Sequence, residues 1–418
     1  MKKSNKDVQT ILVGMSGRVD STVAAYLLKR QGHNVIGLGM SFFDHKILWP
    51  GEEMSGQGCH VDDLEKVKKI CDQIGIPFYA AKADKEFNEI VLQELKVRKL
   101  SGKSMSTCVF CNYVKVKVLF EKAKKLGIEI VATGHYAKAI LDTRTNNYSL
   151  GIPEEVSHDQ SYLLAKIDKK LLGNMLFPLA DISRDEVIKL GKKIIPGIQV
   201  GDHGRPPCFI KDPNLPKFIE RNVSIGLLKP GHLIKKDDKT IVGDHTGIHH
   251  YYLGQKKIVT PPGTPPIDGA LMVVGFDVTK AEVLLGHETE VISSTAMMVC
   301  NDLSIIDIST PSSVFVRIGQ QNQKLKAKVY YKNSNYAIIS FNEEIDILKL
   351  GECISVFTGD GCGDTVMFSG WLQNVDFVDL SDVLAGVAEK IKTLEEEEEE
   401  VDEDEKKERI VEIKRFYL

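Results

Sequence analysis

The chain has 418 residues, 43% of them hydrophobic and 27% charged, and a formal net charge of −4. That length suits two or three domains, each with its own core, and the composition is that of an ordinary soluble protein. No segment approaches ~18 uninterrupted apolar residues, so no membrane span and a cytoplasmic location are expected.

The start, MKKSNKDVQTILVG, carries lysines, but its apolar run is short and leads straight into a glycine loop. It reads as a first strand, not as a signal peptide. The stretch TVAAYLLKR follows that loop, and residues 19–30 place Val19, Val23, Leu27 and Leu28 on one helical face. Gly32 stops the helix and NVIGLGM resumes a strand. Residues 62–74 form a second amphipathic helix, before the short strand PFYAAK; a third helix over 111–126 precedes the strand IEIVATG. This alternation predicts an α/β fold, a doubly wound parallel sheet with helices on both faces. Ligands of such sheets sit at the carboxyl ends of strands, where GMSGRVDS, GLGM and ATGHY fall.

From about residue 212 short segments punctuated by Gly, Pro and Asp suggest a small mixed or β module. Alternating runs such as KAKVYYK, YAIISF and CISVFTGD, within 281–375, suit a small β-barrel. The expected domains are therefore 1–211, 212–280 and 281–375, with an acidic helical or disordered extension over 376–418. Within that extension residues 395–405 carry ten acids in eleven positions, so the rest of the chain is net +6. A mildly basic body is compatible with a polyanionic partner.

The loop GMSGRVDS joins strand to helix, and its backbone N–H groups from Ser16 to Ser21 meet the positive end of the helix, which favours an anion. Ser16 and Ser21 add hydroxyls, and Asp20 could hold Mg2+ against phosphates; an ordinary turn capped by Ser16 or Asp20 is the plain alternative. The GKS at 102–104 is no P-loop, because Val97 stands where one needs glycine. Arg18 is the misfit. At a positive φ it would cost about 1–2 kcal/mol of strain. Its guanidinium could instead pair with phosphate oxygens, or its side chain could fill the phosphate space.

The eight cysteines sit in a chain expected to face reducing conditions, so structural disulfides are not expected. Cys59, Cys71, Cys300, Cys353 and Cys362 read mostly as packing residues, whereas Cys108 and Cys111 form a C-x-x-C pair. The histidines of GDHTGIHHYYLG (His245, His249 and His250) have a spacing that invites a metal, but no carboxylate or cysteine pattern completes a site. Lys256 and Lys257 are candidates for phosphate contacts, or part of a solvated loop.

GMSGRVDSTVAAYLLKRQGHNVIGLGM resembles the ATP-pyrophosphatase (PP-loop) segment of tRNA 2-thiouridylases, usually GMSGGVDS. The likeness continues in order through CVFCN (108–112), ATGHYA (132–137), DQSYLL (159–164), FPLAD (177–181), CFI (208–210), KPG (229–231) and GDHTGIHHYYLGQKK (243–257). The resemblance implies an adenine nucleotide alpha hydrolase-like PP-loop domain, then a central module and a barrel. It implies an enzyme that adenylates the C2 oxygen of a wobble uridine in tRNA and replaces it with sulfur. ATP would be held by Gly14, Met15, Ser16, Gly17, Arg18, Val19, Asp20 and Ser21, with Met40 and Gly134 bordering the adenosine. His135, His158, Asp159, Gln160 and Arg317 would lie near tRNA; His158 stands where the family usually has Lys, and Glu352 replaces a usual Gln.

Cys111 and Cys208 match the family's reactive pair, and Cys108 stands where its common pattern has Asp. Three cysteines can hold a [4Fe–4S] cluster, as in related sulfur-inserting pyrophosphatases. Persulfide chemistry without a cluster, zinc, and a redox disulfide are the alternatives. The sulfur donor would be a persulfide carrier protein or sulfide. Two rival readings stand beside this one: an RNA-binding relative impaired by Arg18, and a PP-loop enzyme acting on another nucleobase or a small molecule. The resemblance treats the histidine stretch as a structural hinge.

Overall fold

The computed structural model describes residues 8–43, 63–104, 107–143, 146–201, 209–210, 215–258, 269–300, 312–319, 323–332, 336–346 and 351–373. Cys59, Cys208 and the extension 376–418 lie outside the described residues. Strand β1 (Thr10–Met15) is apolar throughout its centre because both of its faces are covered. Ile11, Val13 and Met15 enter one core cluster and Leu12 the opposite one. β2 (Asn34–Ser41) and then β3 (Phe78–Lys82) pair in parallel on one side of β1, with β4 (Ile130–Ala132) and β7 (Met175–Leu176) on the other. The order β3-β2-β1-β4-β7 thus reverses direction beside β1, and a crevice opens there at the strands' carboxyl ends.

Helices α1 (Val19–Arg30) and α2 (Asp63–Ile74) cover one face. The other is covered by α5 (Cys108–Lys125), through Val116, Leu119 and Ala123. Between α2 and α5 runs a helical stretch absent from the sequence reading: α3 (Asp84–Glu86), a π turn (Phe87–Leu92) and α4 (Gln93–Leu100). Its pattern is obscured because Arg98 and Lys99 are buried along with Phe87, Val91 and Leu95. α5 also begins three residues before the expected 111, so that both cysteines of the C-x-x-C pair lie in its first turn. Thr107 makes no side-chain cap, which removes the usual sequence signal for a start. The GKS at 102–104 follows α4, not a strand, and so is no P-loop in structure either.

A hairpin, β5 (Lys138–Asp142) with β6 (Asn147–Gly151), and α6 (Arg184–Ile194) complete this region, followed by α7 (Leu215–Asn222). A central sheet of order β10-β11-β8-β9 comprises β8 (Gly231–Lys235), β9 (Ile241–His245), β10 (Met272–Asp277) and β11 (Glu282–Gly286). Because β11 pairs with β8, this sheet runs past the expected limit at 280. Six strands then close a barrel: β12 (Ile292–Cys300), β13 (Ser312–Ile318), β14 (Leu325–Lys332), β15 (Tyr336–Asp346), β16 (Cys353–Phe357) and β17 (Val366–Gln373).

Barrel and parallel sheet meet around Arg98. Its guanidinium lies 4.2 Å from the Trp371 ring centroid, and Trp371 stacks on Phe110 of α5 at 4.9 Å and 7°. Arg98 Nε donates to Glu94 at 2.7 Å, and Nη1 donates to the carbonyls of Ser104 and Gly351. A buried cation is tolerated only with such a set of acceptors. Arg98→Leu should lower stability by roughly 3 kcal/mol, because it strands these acceptors. A fall in the urea midpoint without loss of helical circular dichroism at zero urea is the expected measurement.

Candidate active site

Only Ser16, Gly17 and Arg18 separate β1 from α1. The chain reverses at Gly17, with φ +73, a conformation glycine adopts without strain. Arg18 is extended, with φ −107 and ψ 169, so the left-handed strain considered for this residue does not arise. Its side chain packs on the Gly201 backbone: a Cβ on Gly201 would come within 2.9 Å of Arg18 Cδ. The loop's amides are not all turned to a ligand, which corrects the sequence expectation. Ser16 N–H donates to Ser21 Oγ at 3.1 Å, and Val19 N–H donates to the Gln199 carbonyl at 3.1 Å. The first amides of α1 remain those that lack a helical acceptor.

Asp20, in the first turn of α1, is fixed from two sides. Arg184 Nη1 donates to Asp20 Oδ1 at 3.0 Å and the Tyr136 hydroxyl donates to the same oxygen at 3.1 Å. Arg184 also donates from Nη2 to the Gly201 carbonyl at 2.8 Å. Burial first, and then Asp20, push the Tyr136 phenol well above its ordinary range, so it stays a donor. Arg184 is placed by a capping box in which Ser183 Oγ accepts from Glu186 N–H and Glu186 reaches back. Glu155 Oε2 accepts the Arg184 N–H at 2.6 Å. Burial raises the Glu155 carboxyl, but that N–H and His158 outweigh it and hold the group below its usual range.

After β4 comes Gly134. A Cβ there would sit 2.7 Å from the Asp20 carbonyl carbon and the Ser21 nitrogen, so two backbones touch at the head of α1. His135 follows, held by Thr133 Oγ1 at 3.0 Å on Nδ1 and Asn112 Oδ1 at 3.1 Å on Nε2. Asn112 Nδ2 in turn donates to the Cys108 carbonyl at 3.0 Å. With its amide oriented that way, Asn112 presents an acceptor to Nε2, which assigns the proton to Nε2. A run of contacts therefore leads from the Ser16–Ser21 turn, by close backbone approach at Gly134, through His135 to the cysteine turn. Met40, on β2, packs partly buried beside these elements. Gly14 and Met15 end β1, and Val19 is wholly buried in the core.

Cys108 and Cys111 are half-buried in the first turn of α5, one helical turn apart, where orphan amides favour anionic ligands. Cys208, the third member of the expected set, lies outside the described residues. Burial first pushes the thiols of Cys71 and Cys353 up to about 12, as befits packing residues. Cys362 departs from that class: it is exposed, donates to Glu154 at 3.0 Å and accepts from Lys138 Nζ at 3.4 Å.

The residues expected to touch RNA divide. His158 is half-exposed, with Nδ1 2.8 Å from Glu155 Oε1. Gln160 instead brackets Tyr136: its side chain accepts from Tyr136 N–H at 3.2 Å and its own N–H donates to the Tyr136 carbonyl at 2.8 Å. Asp159 and Arg317 are buried against one another. Arg317 Nη1 donates to the Asp159 carbonyl at 2.8 Å and lies 3.3 Å from its Oδ2; Lys324 Nζ lies 3.5 Å from the same oxygen. Glu352, in place of the usual Gln, accepts from the Ser104 hydroxyl. Among the histidines, His245 is buried and bonded to the Ala281 carbonyl at 2.9 Å. Lys256 pairs with Glu288 at 3.2 Å. Sequence reasoning passed over Arg184, Tyr136, Glu155 and Asn112. The capping box S-R-D-E marked the helix start that presents Arg184, but not its partner 164 positions away.

Residues 9–212 match the family described as the tRNA methyl transferase HUP domain. The tRNA-specific 2-thiouridylase MnmA of Geotalea uraniireducens (strain Rf4) is 30% identical over 378 residues, 90% of this chain and 97% of its own length. The tRNA-specific 2-thiouridylase MnmA of Halothermothrix orenii is 32% identical over 357 residues, 84% of this chain and 96% of its own. Among solved structures, a 4-thiouridine synthetase–RNA complex with bound ATP aligns with a TM-score of 0.29 at 15% identity, over 44% of this chain and 40% of that one. That score is too low for the sites to be compared.

The Gly134 contact is testable. Gly134→Ala should displace the head of α1, costing about 1–3 kcal/mol by overpacking, and should weaken ATP binding more than Gly197→Ala. Thermal denaturation and nucleotide titration of both variants give the comparison; equal ATP affinity in the two would remove the role given to this contact.

Proposed function

Because the chain belongs to the tRNA-specific 2-thiouridylase family, we propose that it uses ATP to replace the C2 oxygen of a wobble uridine in tRNA with sulfur. The observation that carries this reading is the run of contacts from the Ser16–Ser21 turn, by the close backbone approach of Gly134 to Asp20 and Ser21, through the hydrogen bonds of His135 and Asn112 to Cys108. Nucleotide activation and sulfur delivery need to be adjacent, and this path joins their two candidate residue sets.

In the proposed reaction the C2 oxygen attacks the α-phosphorus of ATP and pyrophosphate leaves. The carbonyl oxygen, a poor leaving group, thereby departs as part of AMP when sulfur attacks C2. Residues Gly14 to Ser21 would hold the phosphates, with the α1 head amides and the Ser16 and Ser21 hydroxyls as donors. Arg18, folded against Gly201 rather than strained, would add positive charge beside pyrophosphate. Mg2+ would be held mainly by the phosphates, since Asp20 Oδ1 is already committed to Arg184 and Tyr136. Met40 and Gly134 would border the adenosine. His135 and His158 would face tRNA, while Asp159, Gln160 and Arg317 would act by positioning the segment that carries His158.

Cys108 and Cys111, a turn apart at a helix start, fit two positions of a thiolate-ligated [4Fe–4S] cluster, with Cys208 as the third. When bound, such a cluster, held by three cysteines, would leave one iron free to take up hydrosulfide from the sulfur donor for the attack on C2. Without it, one of Cys111 and Cys208 would carry sulfur as a persulfide and the other would attack that cysteine's own sulfur, forming a disulfide and releasing hydrosulfide. Anaerobically reconstituted protein should absorb broadly near ~400 nm, as thiolate-bound iron–sulfur clusters do, and Cys108→Ala should abolish the band. If Cys108→Ala leaves both the band and the thiolation activity intact, the three-cysteine cluster reading is wrong.

Pyrophosphate release should occur only when tRNA is added, and nucleosides from a strain lacking the protein should contain less 2-thiouridine. Release without RNA would point to a small-molecule substrate. If wild type releases none and Arg18→Gly does, the protein is an RNA-binding relative impaired at its ATP loop.

A further inference from the structure

We propose that Glu220, His249 and His250 form a metal site separate from the cysteines, suited to one divalent transition ion of the Zn2+ type. The three residues come from two elements that the chain brings together. Helix α7 buries Leu215, Phe218 and Ile219 in the core, which turns Glu220 towards the 3-10 turn Ile248–His250. His249 Nε2 lies 3.2 Å and His250 Nε2 3.3 Å from the same oxygen, Glu220 Oε1. One ligand atom from each residue lies within 4.8 Å of the other two. Sequence spacing alone offered these histidines no carboxylate; Glu220 supplies it from 29 positions upstream.

The distances suit an ion. Metal–ligand bonds of about 2.1 Å in a tetrahedron separate neighbouring ligand atoms by about 3.4 Å. Both Nε2 to Oε1 separations are close to that edge. The chemistry suits it as well. Two imidazole nitrogens and one carboxylate oxygen, with no thiolate, form a donor set that Zn2+ accepts, with the remaining position open to water. Without a metal, His249 Nε2 shares a hydrogen bond with Glu220 Oε1, and the buried Nδ1 of His249 has no hydrogen-bond partner. Ligation through Nε2 would leave each neutral ring's single proton on Nδ1.

Electrostatics prepare the ligands. Burial, as the largest cause, pulls both imidazoles below their ordinary range, towards the neutral form that ligates. The Lys99 ammonium, which donates to the Tyr251 carbonyl at 2.9 Å, favours the same neutral form. Its charge opposes a cation, and the Glu220 carboxylate offsets it. An ion here would pin α7 to the turn that follows β9. Phe209 and Ile210, next to Cys208, pack in the same core cluster as α7. The ion would therefore steady the segment just beyond that cysteine without entering the chemistry.

The test uses the full chain carrying Cys108→Ser, Cys111→Ser and Cys208→Ser, so that the outcome is independent of the proposed sulfur chemistry. Titration with Zn2+ against a chromogenic chelator should show one equivalent bound, with a rise in the thermal midpoint. Glu220→Gln and His250→Gln, both at solvent-reaching positions and checked for native circular dichroism, should each weaken binding about tenfold or more. Co2+ should give visible d–d bands with no thiolate charge-transfer band, and both variants should lose them. The proposal is overturned by absence of saturable binding, by unchanged affinity in either folded variant, or by a charge-transfer band carrying the Co2+ signal.

Discussion

A carboxylate removed from water must be paired, and Asp159 is the buried carboxylate on which this architecture turns. Its partners, Arg317 on β13 and Lys324 just before β14, belong to the barrel, while Asp159 belongs to the chain that follows the β5–β6 hairpin. Breaking such a pair by removing one member costs several kcal/mol, about 3–5 in measured cases. The barrel is therefore held in one orientation by a charge requirement as well as by apolar contact. Arg317 stacked on Tyr162, and Arg98 between Trp371 and the carbonyls of Ser104 and Gly351, repeat the device.

The candidate site inherits its geometry from that frame. Asp159 is flanked by His158 and Gln160, and Gln160 clamps the backbone of Tyr136, whose hydroxyl holds Asp20. A chain of hydrogen bonds thus connects the barrel interface to the head of α1. On the other side, Trp371 stacks on Phe110, within the first turn of the helix that carries both cysteines. Both halves of the proposed chemistry are consequently anchored to the barrel, by ionic pairing on the nucleotide side and by aromatic stacking on the sulfur side.

Much of the parallel sheet was legible, because strands buried on both faces read as apolar runs and the first helix has a clean period. The loop GMSGRVDS sat between the predicted strand and helix for the same reason. Less visible were elements whose inward residues are charged, such as α4 with Arg98 and Lys99, and α5, whose start at Cys108 has no capping side chain. Long-range pairings were not legible at all. Nothing in the local pattern joins Asp20 to Arg184, Asp159 to Arg317, or Glu220 to His249. These contacts depend on how helices and strands pack, and that information is spread over the whole core. The pairing of Asp159 with Arg317 was hidden on the same ground, since the partners lie 158 positions apart.

The extended backbone at Arg18 has an evolutionary corollary. The turn places its demand for glycine on residue 17 alone, so residue 18 can exchange side chains without re-engineering the fold. What changes with such an exchange is the local potential at the mouth of the crevice. Position 18 is a tuning point: a lineage can raise or lower the field felt by an incoming polyanion there, one substitution at a time, while the scaffold that sets the reaction stays the same.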